Sequence, residues 1–249
     1  MHRFWCQLLA LWRLLRVLGC VARGAWIQWV HFPQWDDSQK QLAVVQWSGR
    51  MLKAMNVKVI RTGDVAAGPL LMVCNHISWL DILVCHSQFF GRFVAKGEVH
   101  SWPVLGDMAQ QAGTLFIERS SRRDALRVVH DMANALRKGD TVTIFPEGTT
   151  NNGLDLLPFH ANLIQAAIVA QSPIQPMGLS YWSSALPKQR SLAPRFFGSD
   201  TLLSSVWSTL SSDGIVAELA LGQVQHAEGR DRRQWASDLR SDVLELIGS

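Results

Sequence analysis

The sequence predicts an α/β fold, a single domain with a mixed, largely parallel sheet covered by helices, preceded by a helical N-terminus. Three observations carry this reading. Short apolar runs alternate with longer stretches of helical periodicity from about residue 56 onward, the pattern that βαβ units leave. Hydrophobic residues are 48% and charged residues 18% of the 249 positions, which supplies a core and excludes disorder. The first 47 residues hold six of the eleven tryptophans, at Trp5, Trp12, Trp26, Trp29, Trp35 and Trp47. Residues 1–55 are therefore read as one segment and residues 56–249 as the main domain.

Taken in order, residues 4–30 are rich in Leu, Val, Ala and Trp, yet the longest unbroken apolar run is Leu8–Trp12. A spanning helix wants about 20 such residues, and a cleaved signal wants roughly 7–15 without charges. Arg13, Arg16 and Arg23 fall within about 80° on a helical wheel. An amphipathic helix lying in a membrane interface fits, with arginines toward headgroups and a Leu/Trp face in the acyl boundary; a short or tilted span and an ordinary packed helix are the alternatives. Ser38 is expected to cap a helix to about Met55. Strands follow at "VKVIR" (57–61) and "LLMVC" (70–74), separated by the turn-rich "TGDVAAGP".

"WLDILVCHSQF" reads as a helix with Ser78 at its N-cap. A strand at 92–95 leads into an irregular stretch containing Pro103 and Gly106. "TLFIE" (114–118) is a strand. Residues 121–137 are amphipathic, with Ala125, Val129, Met132, Ala133 and Leu136 at helical spacing and Gly139 as the stop. "TVTIF" (141–145), a helix near 160–170, strands at 174–181 and 215–221, and a helix near 231–247 complete the chain.

The net charge is +4, which suits an anionic surface or substrate but lacks the Lys/Arg tracts of a nucleic-acid arm. Cys6, Cys20, Cys74 and Cys85 form no CxxC pair and no zinc pattern, so a reduced compartment is expected.

The segment Asn75–Asp81, "NHISWLD", sets His76 and Asp81 five positions apart. On one helix they would diverge by about 140°. If a strand ends at Cys74 and a helix starts near Ser78, the backbone bends between them and the side chains can meet. The carboxylate then accepts from one imidazole nitrogen and leaves the other as a base. The plain alternative is a capping box, Ser78-x-x-Asp81.

Other polar groups follow other strands: Lys96, then Arg119, Arg122 and Arg123, then Pro146, Glu147 and Gly148. Singly these read as a surface lysine, a solvated helix start and a turn. Together they lie where α/β sheets bind ligands, at the carboxyl ends of strands. A hydrolase is disfavoured, because no GxSxG occurs and Cys74 sits in an apolar strand. A non-catalytic lipid-binding protein is the other alternative.

In order, "NHISWLD", "FIER", "FPEGT" and "PIQPMGLSY" (173–181) resemble the blocks of the glycerolipid acyltransferases, whose bacterial type is lysophosphatidic acid acyltransferase. The resemblance covers roughly residues 60–185. It implies acyl transfer from acyl-CoA or acyl-carrier protein to the free hydroxyl of a lysolipid, as in 1-acyl-glycerol-3-phosphate to phosphatidic acid, without cofactor or metal. His76 would be the general base and Asp81 its orienting partner. Lys96 and Arg119 match headgroup-binding positions, and Asn75, Glu147, Gly148 and Thr149 complete the expected substrate-binding set. Oxyanion donors are expected from backbone N–H groups near the helix start.

Expected partners are the bilayer, the lysolipid and the donor, with no nucleic acid. The expected location is the cytoplasmic face of the inner membrane, peripheral or monotopic. Two positions depart from the family pattern. Thr150 stands where an arginine is usual, and His160 where many members carry lysine. Arg122 or Arg123 would then substitute, or the acceptor would be a lyso-ornithine lipid.

Overall fold

The computed structural model describes residues 2–117, 122–186 and 188–248, with backbone alone for residues 2–5, 122 and 125. Arg119 therefore lies outside the described residues, and so does the side chain of Arg122.

Among the described residues, seven strands form one sheet: β1 (Val57–Thr62), β2 (Leu71–Cys74), β3 (Arg92–Lys96), β4 (Leu115–Ile117), β5 (Val142–Ile144), β6 (Ile174–Ser183) and β7 (Ile215–Leu221). Their spatial order is β1-β7-β6-β2-β5-β3-β4. Only β6 and β7 pair antiparallel; the other neighbours are parallel. The sheet is thus mixed and largely parallel, as expected.

β2 sits centrally, and all four of its residues are buried, as a strand covered on both faces requires. Its side chains alternate between two cores. Met72 and Cys74 pack with Leu52, Leu80, Val84, Met177 and Leu179 on one face. Leu71 and Val73 pack with Met132, Leu136, Ile164, Trp235 and Leu239 on the other. Helices α1 (His2–Val30), α2 (Asp37–Ala54), α3 (Leu80–Gln88) and α7 (Leu202–Ser211) cover the first face. Helices α5 (Arg122–Arg137), α6 (Ala161–Ala170) and α8 (Arg232–Gly248) cover the second. The short helix α4 (Leu105–Gln111) packs beside α1.

The N-terminal helices share the sheet's core: Ala10, Val17, Met51 and Leu52 belong to the same cluster as Leu80. Gly24 lets α1 press against α2, because a Cβ there would lie 2.5 Å from Trp47 Nε1. That indole instead donates to the Cys20 carbonyl at 2.9 Å.

Several expectations shift. The cap of α2 is Asp36, in a reciprocal capping box with Gln39, rather than Ser38. α3 begins after Trp79, with no side-chain cap on that residue, so Ser78 is one position too early. The stretch read as irregular around Pro103 and Gly106 contains α4, and α7 lies in a serine-rich stretch to which the sequence analysis assigns no element. Thr201 and Ser204 cap α7 reciprocally.

Arg13 is the main correction. It is only 8% exposed and donates to the carbonyls of Leu210 (2.7 Å) and Ser212 (2.6 Å). It ties α1 to the end of α7 instead of facing headgroups. Burial lowers its pKa from the ordinary guanidinium value. Arg23 is exposed and Arg16 half-buried, stacked on Trp12 at 4.5 Å. Among the described residues no helix is long and apolar enough to cross a membrane.

Candidate active site

The chain leaves β2 at Cys74, turns through residues 75–79 and enters α3. That bend brings His76 and Asp81 together. His76 Nδ1 lies 2.7 Å from Asp81 Oδ2. The same oxygen accepts from the backbone N–H groups of Ile77 (2.7 Å) and Ser78 (2.9 Å). Tyr181 donates its hydroxyl to Oδ1 at 2.7 Å. Asp81 is fully buried, and every one of these partners is a donor, so both oxygens act as acceptors.

The ring of His76 is held in plane as well. It stacks on Phe145 with centroids 4.1 Å apart and planes 7° apart. Its side chain keeps 19% exposure. With Nδ1 committed to Asp81, Nε2 is left without a protein partner among the described residues.

The loop after β5 fixes the backbone of His76 from both sides. Glu147 Oε1 accepts from the His76 N–H at 2.6 Å, and the Asn151 N–H donates to the His76 carbonyl at 3.0 Å. Glu147 Oε2 takes the Asn151 amide and the Leu157 N–H, the latter at 2.9 Å. Burial pushes the Glu147 carboxyl above its ordinary pKa, against the opposing pull of these donors. Its oxygens are thus spent on protein groups. Asn75 is likewise buried and internal: it bridges to Leu179 by donating to its carbonyl (2.9 Å) and accepting from its N–H (2.7 Å).

Gly148 turns the loop with φ of +72°, a conformation favouring glycine. Thr149 is exposed beside it. Thr150 donates its hydroxyl to the Phe196 carbonyl. Lys96 is exposed at the end of β3, and His160 is exposed at the start of α6. The expectation that N–H groups at the start of α3 serve an oxyanion needs trimming. Those of Ile77 and Ser78 point to Asp81, and those of Leu80 and Asp81 are bonded to Ser78. Cys74 is buried, and burial raises its thiol pKa well above the ordinary value, which suits a core residue and not a nucleophile.

Three contributors escaped the sequence reading: Tyr181, Asn151 and Phe145. Tyr181 had one available signal, being the sole tyrosine of the chain.

An imidazole oriented by a buried carboxylate on a strand-to-helix turn is a candidate acid–base site. A family model described as Acyltransferase matches residues 53–180. The chain is 34% identical to the lyso-ornithine lipid O-acyltransferase of Pseudomonas aeruginosa, over 98% of this chain and 95% of that protein. It is 45% identical to the 1-acyl-sn-glycerol-3-phosphate acyltransferase of Neisseria gonorrhoeae, over 56% of each chain. The solved 1-acyl-sn-glycerophosphate (LPA) acyltransferase PlsC of Thermotoga maritima superposes with a TM-score of 0.71 over 100% of this chain and 99% of that one, at 19% identity, which shows the common fold. The chain belongs to the acyltransferase family and is an enzyme of that class.

Proposed function

We propose that this acyltransferase moves a fatty acyl group from a thioester, acyl-CoA or acyl-carrier protein, to the free hydroxyl of a lysolipid. The supporting observation is the His76–Asp81 pair, with Nδ1 engaged at 2.7 Å and Nε2 free. Nε2 takes the hydroxyl proton as the oxygen attacks the thioester carbonyl. The C–S bond breaks, and the departing sulfur receives the proton from the imidazolium. Asp81 holds the ring's tautomer and steadies its charged form. No cofactor enters, because the thioester is already activated. Glu147, Asn75 and Tyr181 are positioning residues for the turn. Lys96, Arg119 and Thr149 are the proposed headgroup contacts.

The acyl chain is assigned to an apolar cavity of about 490 Å³ between α1, α2, α3 and α4, within the ordinary range of roughly 300–1,000 Å³. Phe93 lines it and lies 5.7 Å from Phe145, the ring on which His76 stacks. The cavity therefore starts two aromatic rings from the base.

For the headgroup, 1-acyl-glycerol-3-phosphate is the first reading. Thr150, whose hydroxyl is already bonded to Phe196, removes a guanidinium that would clamp a phosphate bidentately. That, with the full-length likeness to a lyso-ornithine lipid enzyme, favours lyso-ornithine lipid as the second reading.

The enzyme is proposed to sit on the cytoplasmic face of the inner membrane through α1. Leu8, Leu11, Trp12, Leu15, Leu18, Trp26 and Trp29 are all exposed and fall on one side of the helix, in an arc of about 120°. Trp29 reaches 80% exposure. Arg16 and Arg23 border this stripe, the arrangement of an interfacial helix.

The deciding assay gives the purified protein labelled acyl-CoA and a panel of lysolipids. Diacylated product from the phosphate or the ornithine acceptor identifies the substrate. Release of free fatty acid without any acceptor would instead make the protein a hydrolase.

A further inference from the structure

We propose that the turn at residues 103–105, where α4 begins, is a second bilayer contact beside α1, with Val104 held outward to enter the acyl boundary. This rests on the membrane reading of α1 above and extends it to a part of the fold beyond the N-terminal helices.

Val104 has φ of +65° and ψ of −52°. The Leu105 N–H donates to the Pro103 carbonyl at 2.7 Å, across the single residue between them. Those angles and that bond define a γ-turn of the rare, strained kind. Glycine adopts such angles freely, whereas a β-branched residue with positive φ is a true outlier. The surrounding backbone holds the turn: the Gly106 N–H donates to the Trp102 carbonyl at 2.8 Å, and the Met108 N–H donates to the Val104 carbonyl at 3.0 Å. Yet the valine is 44% exposed, and Pro103 and Leu105 are exposed with it. Three consecutive apolar residues thus face water, and the middle one strains the backbone to be there. A side chain so exposed offsets little of that strain by packing inside the protein, so the compensating contact lies outside it.

The position of the turn names a bilayer as that contact. α4 packs on α1: Gln28 donates to the Met108 carbonyl at 3.3 Å, and a Cβ on Gly24 would lie 2.9 Å from Met108 Cε. The turn is therefore seated at the end of α1 that exposes Trp26 and Trp29, side chains suited to a membrane interface. Trp102 and Leu105, on either side of Val104, line the apolar cavity assigned to the acyl chain. Leu105 is exposed as well, which puts the turn at the rim of that cavity. A lysolipid reaches such a rim from a bilayer. The exposed carboxylate of Asp107 lies about 200° round α4 from Leu105, so it is turned away from the apolar tip. In the first turn of α4 it meets the positive end of the helix instead.

Vesicles of phosphatidylethanolamine and phosphatidylglycerol are the probe, and two measurements use them. In the wild-type protein, amide hydrogen exchange at residues 102–106 should slow when vesicles are added, while the exposed turn at residues 228–229 should exchange as before. Val104→Gly removes the side chain and suits the turn's backbone. This variant should melt no lower than the wild type, yet its partition onto the vesicles should fall roughly tenfold, the loss from leaving one such side chain in water. A purely structural valine would not weaken vesicle binding while sparing the fold. A Val104→Gly protein that melts well below the wild type has lost internal packing, and that overturns the proposal. Partition equal to the wild type also overturns it; if a concentration-dependent dimer is lost at the same time, a second copy of the chain is what covers the turn. Unchanged exchange at residues 102–106 on vesicles that do bind the wild type overturns it without any variant. Wild-type protein that does not pellet with the vesicles overturns the membrane reading of α1, and this proposal with it.

Discussion

At the N-terminal end of α3, four donors converge on Asp81, and the backbone of His76 is held by both its N–H and its carbonyl. Five residues further along the same helix, His86 is as buried but its Nδ1 is unpartnered. The first end is satisfied by the protein itself, which fixes a geometry before substrate arrives. At the second end no protein group among the described residues bonds the ring's Nδ1. One helix thus carries a satisfied end and an unsatisfied one, and the two ends should respond differently to substitution.

The largest contrast is expected at Asp81. Asp81→Ala leaves the Ile77 and Ser78 N–H groups and the Tyr181 hydroxyl buried without acceptors, each at about 1–3 kcal/mol. Denaturant unfolding should show at least about 3 kcal/mol lost, together with a fall in turnover of about 10²-fold or more. A fully stable Asp81→Ala protein would mean that the convergence of donors is incidental.

His86 tests the other end through pH. Its native pKa of about 4 lies below the unfolded value near 6.5. Below pH 6.5 the unfolded chain binds a proton that the native ring refuses, so stability is lost as pH falls from about 6.5 to 4. The size is roughly 3 kcal/mol. His86→Leu should flatten melting temperature against pH across that window. An unchanged slope would show that His86 is not neutral in the native state.

Arg13, Arg16 and Arg23 separate packing from surface binding. Arg13→Ala strips the carbonyls of Leu210 and Ser212 of their donors and should cost about 2 kcal/mol of stability. Arg16→Glu with Arg23→Glu should leave melting nearly unchanged yet release the protein from anionic vesicles, at about 1 kcal/mol per charge removed from the surface. Unchanged vesicle pelleting would show that the stripe of Leu and Trp alone holds the membrane, or that α1 docks elsewhere.

What could be read from residues follows from range. The sheet was legible because its strands are short apolar runs: β7 falls at Ile215–Leu221 as expected, and β2 differs by one residue. The His76–Asp81 approach was legible because strand end and helix start bracket it within six residues. α4 was hidden by Pro103 and Gly106, and Gly106 is there for space, since a Cβ would sit 2.2 Å from the His100 carbonyl oxygen. The bond from Tyr181 to Asp81 spans 100 residues, and no local pattern announces it. Arg13 was misplaced because a helical wheel gives the angle between side chains but not which side meets the protein.

The proposed role of His76 Nε2, oriented by Asp81, is to take the proton from the acceptor hydroxyl. The most direct measurement is turnover of labelled acyl-CoA with lysolipid by His76→Ala, alongside its melting curve. The expected result is a folded protein with turnover down by at least about 10²-fold. A folded His76→Ala enzyme that still transfers at the wild-type rate would contradict it.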